Sequence, residues 1–391
     1  MGVINDSSAQ QARQASAGSG LPDPASRKSS NIPRAAIKTG LIGCGNVGHF
    51  HAQALSELAE SEFVGVCGRD YEKTKTFGRQ YNVPVFPSVE AMKTGAGVEA
   101  VCICSPHPAH RENGVDAAML GIHLLIEKPL AESVESCDAI LQAARESGAK
   151  VGVVSQRRFY NPCLRVKQAI DDGKLGKPVL GVVTMLGWRS KEYYDSAAWR
   201  GTLDGEGGGV LINQAPHQLD LLLWYMGEPA EIYGVCSNFN HPYIQVEDTA
   251  AAVIRFKNGG VGNILVSNSV NPALYGKVHI FGDNGAAVGV QTDGGAMFIA
   301  GMSQVTEPPV TDLWTIPGED HMPEQWNRQE HEFYKTIDPT RHFHTVQIKD
   351  FLDSLLEGRE PLVDGYAGRR TVELFEAIYR SQREGASVKM P

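Results

Sequence analysis

The sequence predicts an α/β domain on a parallel sheet, followed by an α+β domain on a large, open-faced and mostly antiparallel sheet. Three observations predict it. From residue 36 to 158, near-continuous apolar runs alternate with helix-period segments. That is the pattern of parallel strands covered on both faces. Beyond about residue 160 the runs alternate in polarity and are joined by hairpin-type turns, KNGG and GDNG. Finally, 391 residues exceed what one hydrophobic core ordinarily serves. The expected organisation is a flexible leader over 1–35, a first domain over 36–158 and a second over 159–391. The C-terminal helices are expected to pack back on the first domain.

In the first domain the strand runs are AIKTGLIGCG, EFVGVCG, EAVCICS, HLLIEKP and KVGVVSQ. Segments such as HFHAQALSELAE and ESCDAILQAARESGAK supply the helices between them. The second domain holds PVLGVVTMLGW, AEIYGVCSNF, TAAAVIRFKNG, GVGNILVSNS and KVHIFGD, with helices against one face. Two further helices close the chain, within HTVQIKDFLDSLLEG and GYAGRRTVELFEAIYRSQ. A sheet covered on one side leaves its other face bare. GVGNILVSNS carries apolar residues in both registers, so a homodimer or homotetramer built through that face is expected.

Composition bounds the function. The chain has 42% hydrophobic and 21% charged residues, and a net charge of −9 with no Lys/Arg run longer than two. Nucleic-acid binding needs a clustered basic surface and is not expected. No apolar run reaches the roughly 18 residues a membrane helix needs. The first 35 residues lack a secretory apolar core and hold too little apolar material to order themselves. The seven cysteines form no CxxC pair, which suits buried thiols in a reducing cytoplasm. No metal-ligand cluster is legible, and no metal is expected.

Gly43-Cys44-Gly45-Asn46-Val47-Gly48 fits GxGxxG between a first strand and a first helix. There the glycines let a pyrophosphate approach the positive helix end, so a dinucleotide is the expected cofactor. At the end of the second strand, where an acid would bind the ribose of NAD, stand Gly68 and Arg69. Glycine leaves room and Arg69 offers a grip for a 2′-phosphate, which leans the NAD(P) expectation toward NADP. Asp70 is either part of that loop or the next helix cap. Ser105 and Pro106, at the end of the run EAVCICS, lie where the chain passes the cofactor. His107 and His110 are read as ligand contacts or as caps. Glu127-Lys128-Pro129 ends the next strand, where Lys128 faces the crevice and its cation would steady an alkoxide. Gln156, at the end of the run KVGVVSQ, stands on the same edge as a further cofactor contact.

In GGGVLINQAPHQLDLLLWYMG, residues 207–227, the glycines are expected to feed a short apolar strand before a helix opened by Pro216 and ended by Gly227. His217 falls in the first turn, where the helix dipole favours the neutral imidazole that a proton acceptor requires. Asp220, one turn on, is read as a candidate to orient that ring.

GCGNVG, EKP and GGGVLINQAPHQLD together resemble the glucose–fructose oxidoreductase/inositol dehydrogenase (Gfo/Idh/MocA) family, over residue 36 to the C-terminus. That resemblance implies a Rossmann domain followed by an open-faced sheet domain, and NAD(P)-dependent oxidation of sugars, inositols or glycosides. It implies that Lys128 is the EKP lysine and His217 the catalytic histidine. The family pattern has an aspartate where this chain has Asn213, which cannot take a proton. His217 would then work with Lys128 alone. The Asn-Gln here resembles the branch that oxidises sugar rings of glycosides and anhydrosugars. Arg158, Tyr194, Trp199 and Arg200 are read as substrate contacts with Lys128, Asn213 and His217; Arg157 and Tyr193 are named beside them. Two other functions fit the same residues. One is a non-catalytic NAD(P)-binding sensor or partner subunit. The other is an enzyme that retains NAD and passes through a transient keto-sugar to eliminate or hydrolyse.

Overall fold

The structure is a computed structural model that describes residues 36–293 and 307–391. The leader expected over 1–35 lies outside the described residues.

Six parallel strands form the first sheet, in the order β3-β2-β1-β4-β5-β6. They are β1 (Ile37–Ile42), β2 (Ser61–Cys67), β3 (Val85–Phe86), β4 (Ala100–Ile103), β5 (His123–Ile126) and β6 (Val151–Val153). Strand order reverses between β1 and β4, and ligands bind such sheets beyond the strand ends at that point. The buried faces of Leu41, Ile103, Leu124 and Ile126 account for the continuous apolar runs.

The second sheet has eight strands in the order β13-β12-β11-β7-β10-β9-β8-β14. They are β7 (Pro178–Leu186), β8 (Pro229–Ser237), β9 (Thr249–Phe256), β10 (Val261–Ser267), β11 (Gly276–Gly282), β12 (Ala287–Asp293), β13 (Val310–Trp314) and β14 (Val388–Lys389). Among the described residues only β7 and β10 pair in parallel, and the other pairings of this sheet are antiparallel. KNGG joins β9 to β10 and GDNG joins β11 to β12, as their turn chemistry requires.

Along β9, and along β10 as far as Val266, buried and outward-facing residues alternate. Ala252, Ile254, Ile264 and Val266 are buried, while Val253, Val261 and Leu265 are exposed on the opposite face with Tyr233 and Val235 of β8. Helices Pro216–Met226 and Gly365–Glu384 cover the buried face. Gly365–Glu384 also lies against β6, and in Pro339–Glu357 Gln347 donates to the carbonyl of Val153 and accepts from the amide of Ser155. No helix among the described residues is long and apolar enough to cross a membrane.

One element departs from expectation. Val210–Asn213 is a helical turn, not a strand. The carboxylate of Glu247 accepts the amides of Gly209 and Leu211, and its carbonyl accepts that of Val210. Those groups are unavailable to a ladder.

Candidate functional site

The turn after β1 is built to admit a phosphate. Gly43 has φ +99, and a Cβ there would meet Ser105 N at 2.6 Å. A Cβ on Gly48 would meet Gly43 O at 2.6 Å, whereas one on Gly45 would meet nothing within 4 Å. Two glycines therefore serve close packing and the third opens space above the helix Asn46–Glu57. That helix starts at Gly45 with no side-chain cap, so its first N–H groups, next to Asn46 and Val47, are left for a ligand. The fit to a dinucleotide pyrophosphate is good.

Around the cradle the other expected cofactor residues divide. Arg69 is exposed beside half-buried Gly68, while Asp70 caps the next helix by accepting from Lys73 N at 3.1 Å. Ser105 backs Gly43, and Pro106 is exposed at the rim. Gln156 keeps a buried Oε1 with no hydrogen-bond partner. His110 differs from the ligand-contact reading. Its ring nitrogens lie 2.9 Å from Pro129 O and 2.8 Å from Ser105 O, so it braces the ends of β4 and β5.

Glu127 also turns inward. Its Oε1 meets His51 Nε2 at 2.8 Å, and its Oε2 accepts from Lys128 N at 3.2 Å. Burial opposes the charge on both partners. The His51 contact nevertheless holds the Glu127 carboxyl down at about 2, and contacts to Cys104, Cys102 and Glu127 hold His51 well above its ordinary value. With His344, these residues gather three potential ligand atoms within 4.8 Å. The sequence reading missed this cluster because its members come from three distant segments. Within it His51 Nε2 is hydrogen-bonded to Glu127, while His344 Nδ1 donates to Thr340 O at 2.6 Å and its Nε2 lies 3.9 Å from Glu127 Oε1.

Lys128 and His217 line one small cavity with Ser155, Asp220 and Thr371. Lys128 Nζ donates to Asn213 O at 2.8 Å, and burial lowers its pKa to about 8. His217 is 7% exposed. Burial first, then the charges of Arg157 and Lys128, push its pKa well below the usual range. Desolvation and the neighbouring cations favour the neutral imidazole, the state that the dipole argument expected.

Asp220 is not the orienting group for His217. It accepts from Ser155 Oγ at 2.6 Å, from Arg158 Nε at 2.7 Å and from Arg158 Nη2 at 2.6 Å. Arg158 is therefore bound within the fold and is no substrate contact. Tyr194 is likewise buried, in a small cluster with Ile244 and Val246. Asn213 turns its amide toward Glu206 and donates to Tyr193 OH at 3.2 Å. Glu206 was missed in the sequence; burial raises its pKa, and its other oxygen accepts Gly201 N at 2.6 Å. Tyr193 OH also receives Gln214 Nε2 at 3.1 Å and Arg200 Nη1. Trp199 lies against Arg200, 4.7 Å from guanidinium carbon to ring centre.

Residues 37–155 match the oxidoreductase family with an NAD-binding Rossmann fold, and residues 163–288 match the GFO/IDH/MocA C-terminal domain. The chain is thus an NAD-binding oxidoreductase of the sugar and inositol dehydrogenase type. It belongs to the Gfo/Idh/MocA family.

It is 24% identical to myo-inositol 2-dehydrogenase of Thermotoga maritima, over 90% of this chain and 98% of that one. It is 25% identical to UDP-N-acetylglucosamine 3-dehydrogenase of Acidithiobacillus ferrooxidans, over 86% and 94%. Among solved structures it resembles the WlbA dehydrogenase of Bordetella pertussis in complex with NADH and UDP-GlcNAcA. The TM-score is 0.79 at 28% identity, covering 92% of this chain and 99% of that one.

Proposed function

We propose that this protein oxidises a secondary carbinol of a sugar, inositol or glycoside, with hydride leaving for the nicotinamide of a bound NAD(P). The observation that carries the reading is the pairing in one cavity of a buried, neutral His217 with the cationic Lys128. Neutral His217 takes the hydroxyl proton as hydride departs from the same carbon. Lys128, fixed by Asn213 O, holds the developing alkoxide. When bound, the dinucleotide supplies the hydride acceptor. Asn213 keeps the Tyr193–Glu206 wall in place and carries no proton. Relatives named for inositol and for a nucleotide sugar support the substrate class.

Exposed Arg69 beside Gly68 supports NADP as the preferred dinucleotide. The bare apolar face of the second sheet supports a homodimer or homotetramer. Seven unpaired thiols support a cytoplasmic location. The test is a panel of sugars, inositols and glycosides with each dinucleotide, read by reduced-nicotinamide absorbance. Reduction with at least one member is expected. If dinucleotide binds but no member reduces it, the non-catalytic reading replaces this one. If product forms with no net reduction, the keto-sugar elimination does.

A further inference from the structure

Arg200 stands in the wall of the site with its best binding edge unused. Its guanidinium is held still. Nη1 donates to Tyr193 OH, and the faces of Tyr193 and Trp199 lie 4.2 and 4.7 Å from its carbon. What remains is the edge formed by Nε and Nη2.

The fold shows what that edge is used for. Arg158 grips both oxygens of Asp220 with it, at 2.7 and 2.6 Å. Arg369 does the same to Asp138. In Arg200 the edge has no partner among the described residues, and Nε is buried. Glu206, close enough for its charge to act on Arg200, spends its oxygens on Gly201 N and Asn213. His107, 9% exposed, adds a second orphan: its ring lies 5.8 Å from Trp199 and its Nδ1 is buried without a partner. A charged guanidinium edge whose Nε is buried and unpaired is costly, and a bidentate carboxylate relieves it.

We propose that the substrate carries a carboxylate, bound by the Nε/Nη2 edge of Arg200, so that the sugar is a uronate or a related sugar acid. One guanidinium edge matches one carboxylate in both geometry and charge, whereas a phosphate dianion calls for a second cation. The proposal rests on the reading of His217 and Lys128 as the reacting pair.

The experiment compares kcat/KM of the wild-type protein for matched pairs at saturating dinucleotide. The pairs are glucuronate with glucose and galacturonate with galactose, with glucose 6-phosphate alongside. The acid is expected to be favoured by about 10- to 100-fold, the worth of a charge-assisted contact. Arg200→Gln should bring that ratio close to one, and Arg200→Lys should restore part of it. Calorimetric binding of the uronate should weaken in the same order, and thermal unfolding checks that the variants fold. A wild type that takes glucose as well as glucuronate, or that prefers the phosphate, overturns the proposal while leaving the oxidoreductase reading intact. Dinucleotide binding without turnover of any sugar overturns that reading, and the proposal with it.

Discussion

Replacing Asp220 with alanine separates two roles for that carboxylate. It accepts three hydrogen bonds, from Ser155 Oγ and from both arms of Arg158. The side chains of the ion pair are only 5% and 6% exposed. Asp220→Ala leaves the buried Arg158 guanidinium with no counter-charge, only a 3.4 Å contact from Nη1 to Leu362 O and the ring of Trp224, 5.0 Å away. Breaking a buried pair from one side costs about 3–5 kcal/mol. Set against a usual total of roughly 5–15 kcal/mol, that is a large fraction. The assay is urea unfolding at neutral pH, where the midpoint should fall sharply with little change in slope. Removing both charges together, as Asp220→Leu with Arg158→Met, should recover much of the loss. The reasoning is refuted if Asp220→Ala costs under about 1 kcal/mol yet cuts kcat by orders of magnitude, because the carboxylate would then act on His217 instead.

His217→Ala should lower kcat by about two to four orders of magnitude while dinucleotide affinity holds, and a wild-type kcat would sink its assignment as base. Because burial lowers Lys128 to about 8 and only the cation steadies an alkoxide, kcat/KM should decline above about pH 8. The same profile should show no acidic limb near the ordinary imidazole pKa, since His217 stays neutral well below it. Activity that climbs steadily through pH 9 would contradict the role given to Lys128 (~1 unit beyond its pKa). Placing a charge on the open sheet face, with Leu265→Asp, should split the oligomer in sedimentation; a wild type that is already monomeric contradicts the oligomer. Arg69→Ala should weaken NADP far more than NAD, and equal losses would remove Arg69 from the 2′-phosphate.

What could be read from the chain was what depends on near neighbours in sequence. Apolar runs between helical patterns gave the parallel strands, and KNGG and GDNG gave two hairpins, because turn chemistry is local. The two-residue β3 was too short to leave a pattern. Val210–Asn213 was misread because Glu247, far along the chain, claims the amides. Distance in sequence also hid the partners of Arg158, Asp220 and Glu127. All three are polar residues near the right strand or helix end, and only the fold tells which of them is spent on another side chain. His217 and Lys128 were legible because each stands at an element terminus that faces the crevice. The cause of His217's neutrality was not, since it lies in burial and in Arg157.

The opening glycines of that same stretch show how the second sheet positions the chemistry. A Cβ on Gly208 would meet Tyr379 OH at 2.3 Å, and one on Gly209 would meet Glu247 O at 1.8 Å. Neither position has room for a side chain. The space is filled instead by Glu247 itself, whose oxygens accept Gly209 N, Leu211 N and Tyr379 OH. Glu247 stands just before β9, and Tyr379 lies on the final long helix. The turn that carries Asn213, and after it Pro216 and His217, is thus clamped between the sheet and the C-terminal helix. The clamp reaches Lys128 as well, because Asn213 O is where Nζ docks. Lys128, at the end of β5, and His217, at the start of its helix, thus line one cavity with the turn between them fixed from both sides.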